Sequence, residues 1–142
     1  MTELRALSPR QCMDLLSSGT VGRLAFSEHA MPAIRPVNFL LHGGDLVIRT
    51  SRTGSIAKLV DEVVAFEVDD IDPATHTGWS VVVVGKIHPV TNIEELVTLA
   101  DPRRRPWPGG ERSCFLRLPI DIVSGRTFEA YDVGPAETVA AS

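Results

Sequence analysis

The sequence predicts a mainly β chain of the α+β kind, an antiparallel barrel with short helices at its ends. Three observations carry this. Six or seven apolar stretches read as strands, against three short helical patterns. Their connections are hairpin-length, without the strand-helix-strand alternation of a doubly wound parallel sheet. The strongest strand, "TGWSVVVVGK" at 77–86, runs four valines in a row, Val81 to Val84. A strand with one face in water alternates, whereas an unbroken apolar run needs cover on both faces. The barrel core covers one face. The other is covered by a helix of the same chain or by a second copy, and the apolar run favours a second copy, since obligate dimer interfaces resemble a core cut in half.

The elements follow in order. "LSPRQCMDLLSSG" is a helix: Ser8 caps it, Pro9 suits the first position, Gln11 completes a capping box, and Gly19 ends it. Cys12, Leu15 and Leu16 share its apolar face. "TVGRLAFS" and "AIRPVNFLL" are strands around a turn at 28–32, and Pro36 predicts an edge or a bulge. "HGGD" is a tight hairpin turn into "LVIRTS". "RTGSIAKLVDE" reads as a short helix with Ile56, Leu59 and Val60 on its apolar face. "VVAFEVDD" is a strand and "IDPATHTG" a polar loop. "WSVVVVGKIHPV" is the long strand, with Gly85 marking a bulge or a close backbone approach. "TNIEELVTLA" is a helix capped by Asn92 with Glu95 as box partner, and Ile93, Leu96, Val97 and Ala100 make its stripe. "CFLRLPIDIVSGRTF" supplies one strand, or two parted at Pro119. Residues 1–128 are thus one domain, and 129–142 form a tail without periodicity, expected to be mobile.

Composition narrows the function. Apolar residues make up 44% and charged residues 23%, with a net charge of −4, which gives no basis for a nucleic-acid surface. Cys12 and Cys114 are far apart and in no metal-binding pattern. No apolar run suggests a signal peptide or a membrane span, so the expected location is the cytoplasm. His29, His42, His76 and His88 lack metal-ligand spacing, and "DDIDP" lacks the spacing of a calcium loop. No metal site and no catalytic residue is predicted.

One segment carries binding chemistry. "RTSRTGSIAK", 49–58, ends a strand and opens a helical turn. It holds Arg49, Arg52 and Lys58 with the hydroxyls of Thr50, Ser51, Thr53 and Ser55, the groups a phosphate needs. The alternative is a polar loop with ordinary capping residues. Trp79 and Trp107 either border a planar ring or anchor core and loop. Asn38 either bonds a heterocycle edge or satisfies a bulge. Arg103, Arg104 and Arg105 hold an anionic ligand or form a solvated loop.

The order "GTVGRLAF", "PVNF", "LVIRTSRTGS", "VAFEVDDIDPATHTGWSVVVVGK", "RPWPGGERSCFLRL" resembles the flavin-binding split-barrel superfamily. Within it the chain is similar to the pyridoxamine 5'-phosphate oxidase-like proteins of actinobacteria, akin to the nitroimidazole-resistance reductases, over residues 4 to 128. The resemblance implies a homodimer of six-stranded antiparallel split β-barrels with FMN at the interface, and hence an oxidoreductase acting on a small planar substrate. It implies that Arg49, Thr50, Ser51, Ser55 and Lys58 hold the phosphate and ribityl chain. It also places Asn38 beside the flavin ring, Trp79 and Ser80 near ring and interface, and Trp107 over the pocket. One departure stands out. Many relatives read Gly-Ser-Lys-Leu where this chain reads Gly54-Ser55-Ile56-Ala57, and the candidates to replace the lysine are Lys58 and Arg52. Losing one phosphate cation weakens binding by about 1–3 kcal/mol. The alternative reading is therefore a non-catalytic protein that binds a flavin or deazaflavin and has lost tight FMN binding.

Overall fold

The structure, a computed structural model, describes residues 2–101 and 114–130. Its elements are β1 (Thr2–Ala6), α1 (Pro9–Ser17), β2 (Val21–Glu28), β3 (Met31–His42), β4 (Asp45–Thr50), a 3-10 turn (Ile56–Lys58), β5 (Val63–Asp72), β6 (Thr77–Lys86), β7 (His88–Pro89), α2 (Ile93–Leu99), β8 (Cys114–Leu118) and β9 (Ile122–Ala130). The strands form one antiparallel sheet in the order β1-β9-β6-β5-β2-β3-β4-β8-β7.

Six consecutive strands, β6-β5-β2-β3-β4-β8, wrap around one core. Inward-facing Leu24, Phe39, Ile48, Phe66, Val81, Val83 and Leu116 are fully buried in it, with Cys12 and Leu16 of α1 closing one side. Phe39 and Phe66 meet edge to face at 4.8 Å between ring centres. The sheet curls until β6 reaches the far end of β8. A Cβ on Gly85 would lie 2.8 Å from the Pro119 carbonyl oxygen and 3.1 Å from a Leu118 methyl. Gly85 therefore marks a close approach; the pairing of β5 with β6 runs through it without a bulge. The split-barrel class is thus as predicted, with β1, β7 and β9 added at its margins.

Pro36 is neither on an outer strand nor at a bulge, since it pairs in register with Arg23. The reason it is tolerated is local. β4 pairs only with Asn38 to His42, so the half of β3 that holds Pro36 is a local edge, as expected, with no paired strand on its second side among the described residues. No ladder hydrogen bond is lost there. The predicted helix over 52–62 is a single 3-10 turn, Ile56–Lys58. Ile56 and Leu59 go into the core and Val60 faces out. α1 has the predicted capping box, Ser8 with Gln11, and buries Cys12 and Leu16. α2 has its Asn92 cap but packs differently from the prediction. Leu96 and Leu99 meet the sheet, whereas Ile93 and Val97 are 76% and 69% exposed. Glu95 is not a box partner: its carboxylate accepts from Arg117 of β8, which also reaches Asp45 at 3.3 Å. The ion pair lies on the same side of α2 as Leu96 and Leu99 and holds that flank against the strand. β1, not foreseen in the sequence, pairs with β9, and β9 runs two residues past the domain end expected at 128.

Candidate functional site

β3 and β4 bring two predicted residues side by side. Asn38 pairs in register with Arg49, on the face opposite the core, and both are half-buried. Thr50 ends β4, across from Cys114. The chain then turns: Ser51 accepts the Gly54 amide at its carbonyl, and its hydroxyl lies 3.2 Å from that of Thr53. Arg52 is exposed and close enough to Cys114 for its charge to act on the thiol. Burial pushes the Cys114 pKa up, and Arg52 opposes part of that rise.

Ser55 begins the 3-10 turn, but its hydroxyl makes no cap bond. Arg35 of β3 donates to it at 2.6 Å through Nη1, and to Glu28 at 3.2 Å through Nη2. The Arg35 guanidinium also lies 5.6 Å from the Phe26 ring centre. Arg35 is the residue the sequence reading missed. Its signal was there, a cation three residues before Asn38, but no local pattern joins β3 to a turn twenty residues on. Lys58 is exposed beside a hollow of about 200 Å³ that it shares with Ser55, Glu28, His29 and Glu62. Of the two carboxylates there, Glu28 is already paired with Arg35.

Trp79 and Ser80 lie on opposite faces of β6. Trp79 packs against the core from the inside, across from Asp70 and Thr127. Ser80 faces out, across from Asp69 and Arg126. Both stand four strands from Arg49 in the order β6-β5-β2-β3-β4. One chain thus brings Asn38, Arg49, Thr50 and Ser51 together at one stretch of sheet, and Arg35, Ser55 and Lys58 together around the next turn. It does not bring Trp79 and Ser80 to them along the sheet. Trp107 and the three arginines at 103–105 lie outside the described residues.

The outer face has two parts. Over β3, β4 and β8, α2 buries Val47 and Phe115 under Leu96 and Leu99. Over β2, β5, β6, β9 and the first half of β3, residues 31–37, no described element lies on it. There a cross-strand row runs Ile34, Ala25, Ala65, Val84, Ile122. Ile34 is 70% and Ile122 62% exposed. Val82 and Val84, the outward valines of the four, are only half-buried, while Val81 and Val83 are buried. Among the described residues no group of three or more His, Cys, Asp or Glu side chains could hold a metal, and no helix is long and apolar enough to cross a membrane.

Residues 8–127 match the family model described as pyridoxamine 5'-phosphate oxidase. The chain belongs to that family. A relative in Mycobacterium tuberculosis, the uncharacterized protein Rv0080, is 36% identical over 129 residues, covering 87% of this chain and 84% of its own length. Among solved structures, the FAD-binding protein from Mycobacterium smegmatis has a TM-score of 0.70 at 25% identity, over 89% of this chain and all (100%) of its own. The conserved protein of unknown function DIP1874 from Corynebacterium diphtheriae has a TM-score of 0.73 at 32% identity, over 89% and 98%. The split barrel of the family is the barrel described above.

Proposed function

We propose that this member of the family binds a flavin, FMN, by its phosphate at the segment Arg49–Lys58, between two copies of the chain, and serves as an oxidoreductase for a small planar substrate. The observation that carries this reading is the linkage of Arg35 to Ser55. It sets a cation from β3 against the turn where the sequence already gathers Arg49, Arg52, Lys58 and four hydroxyls. Hydroxyls and guanidinium groups in one turn suit a phosphate, so these residues fit the group. A flavin also agrees with the FAD-binding neighbour from Mycobacterium smegmatis.

When bound, the flavin supplies hydride or electron transfer at its ring. The chain's own residues bind and orient it. Arg35, itself paired with Glu28, holds the Ser55 hydroxyl in place, and Ser55 anchors the phosphate; Arg49 adds charge on the strand before it. The Asn38 amide offers one donor and one acceptor to a heterocycle edge. Cover from a second copy keeps water from the ring, and would bring Trp79 and Ser80 nearer than one chain does. No side chain here is given the role of catalytic acid or base.

Ile56 favours a second reading. Its side chain is buried in the core, so the position where relatives carry lysine gives the phosphate nothing. A protein with that gap holds FMN less tightly, and a deazaflavin, or binding without turnover, becomes the alternative.

The test is an absorption spectrum of the purified chain after adding FMN, FAD or a deazaflavin and desalting. Retained bands near ~370 and ~450 nm with FMN support the reading, and retention of the deazaflavin alone supports the second. A chain that retains none of them overturns both. Arg35→Ala should weaken FMN binding about tenfold, a loss of roughly 1.4 kcal/mol. Lys58→Ala should weaken it less, because Lys58 is exposed and solvent screens its charge.

A further inference from the structure

The uncovered part of the outer face carries a charge cluster that the function above does not use. Glu67 and Asp69 point the same way from β5. One nitrogen of Arg23, Nη1, lies 2.9 Å from the Glu67 carboxylate and 3.1 Å from that of Asp69. With both acids ionised, one cation faces two anions.

The groups around Glu67 offer little else. β2 presents Arg23 and Ala25, and β3 presents Ile34 and Pro36. β6 presents Val82 across from Glu67 and Ser80 across from Asp69. β9 presents Ser124 and, across from Ser80, Arg126. Arg126 is two strands from β5, about 10 Å at the usual strand spacing. The surplus negative charge therefore has no near second cation among the described residues. The Glu67 carboxyl is correspondingly pushed up to about 7, first by burial and then by Asp69, against the pull of Arg23.

The cluster rims a hollow of about 270 Å³ floored by Ala25 and Ala65, with Ile34 at its side. The same patch thus carries a hole, the two alanines, and standing knobs, Ile34 and Ile122. A two-fold interface needs knob and hole on one surface, because each copy meets the other with the same patch. A second copy of the chain therefore fits this face as its occupant.

We propose that covering of this face by a second copy is a proton-linked event, in which the Arg23, Glu67 and Asp69 cluster takes up one proton per chain at Glu67. This rests on the reading above that two copies associate. Covering removes the cluster from water, and an unpaired charge is costly to bury. A proton on Glu67 cancels the surplus and leaves Arg23 paired with Asp69. The associated form then binds more protons than the free chains. Association is fully favoured at low pH and weakens as pH rises through about 7.

The test is the dimer dissociation constant of the full chain, from dilution of fluorescently labelled protein between pH 5.5 and 8.5. For a dimer too tight to dilute apart, the rate of subunit exchange is read on the same series. The expected result is a Kd that rises about tenfold per chain, up to about a hundredfold per dimer, between pH 6 and 8. Glu67→Gln, which keeps the shape and carries no charge, should associate as tightly as the wild type at low pH and show a flat profile. A dimer whose wild-type Kd is flat overturns the proton linkage and leaves association standing. A Glu67→Gln profile as steep as the wild type's overturns it too. A chain monomeric at every pH overturns both.

Discussion

The two parts of the outer sheet face are built from the same kind of strand and end differently. Over β3, β4 and β8 the chain covers itself: α2 lays Leu96 and Leu99 on Val47 and Phe115, and the Glu95–Arg117 pair fixes the helix in place. Over β2, β5, β6 and β9 the row from Ile34 to Ile122 has no cover from a described element. The difference teaches that an apolar outer face has two meanings. Where a helix with an inward pair of leucines follows in sequence, the face belongs to the core. Where Ile34, Ala25, Ala65, Val84 and Ile122 run beside a charge cluster, no described element covers the face, and this is the ground for the contact proposed above.

The largest effect that tests this contrast is in the covered part. Leu99→Ala should cost about 2–5 kcal/mol of folding stability by chemical denaturation, because Leu99 is fully buried. Ile34→Asp in the uncovered part should change the stability of the lone chain by no more than about 0.5 kcal/mol, yet abolish association in sedimentation. Equal unfolding by the two changes would erase the distinction.

Next in size is the clamp on α2. Glu95→Ala should cost about 1–2 kcal/mol, since it leaves Arg117 without one of its two carboxylate partners. Asn92→Ala should cost about 1 kcal/mol through loss of the cap bond to the Glu95 amide. Ile93→Glu on the exposed side of the same helix should fall within about 0.5 kcal/mol of neutral. A large loss there would mean that the outward face of α2 is also covered.

The smallest effect is in pH dependence. The folded chain keeps the Glu67 proton up to about pH 7, above the ordinary value of 4.5. This contribution to stability is full below the ordinary value and is lost as pH rises through the folded one. At concentrations where the chain is monomeric, its melting temperature should fall between pH 5 and pH 7.5, and fall less in Glu67→Gln. An identical fall in both proteins would place the titrating group elsewhere.

Much of the fold was legible because its signals are local. Ser8 with Gln11, Asn92, and Gly43–Gly44 with φ of 62° and 85° punctuate the chain by their own chemistry. The 52–62 helix was misread because Ile56 and Leu59 fit a helical stripe, and three-residue spacing serves a 3-10 turn equally well. The α2 stripe was misread because Ile93 and Val97 are apolar, while the fold buries Leu96 and Leu99 instead, on the side where Glu95 meets Arg117. Within the candidate site, Asn38, Arg49 and the hydroxyl-rich turn were visible as residue types in one stretch. Arg35 was not, because its partner Ser55 is twenty residues away and reached only through the fold.

The sequence by itself determined the strands of the barrel, their turns, the caps and the gathering of cations and hydroxyls at 49–58, since these depend on neighbours along the chain. It also posed the question of the four valines, because an unbroken apolar run requires cover wherever it lies. Only the tertiary structure decided that Val81 and Val83 face a core closed by Gly85 against Leu118, while Val82 and Val84 face outward, Val84 in a row spanning five strands and Val82 between Glu67 and Ser124. It alone set Arg23 between Glu67 and Asp69, and Arg35 against Ser55. Cross-strand register makes those neighbours, and register is a property of the whole sheet.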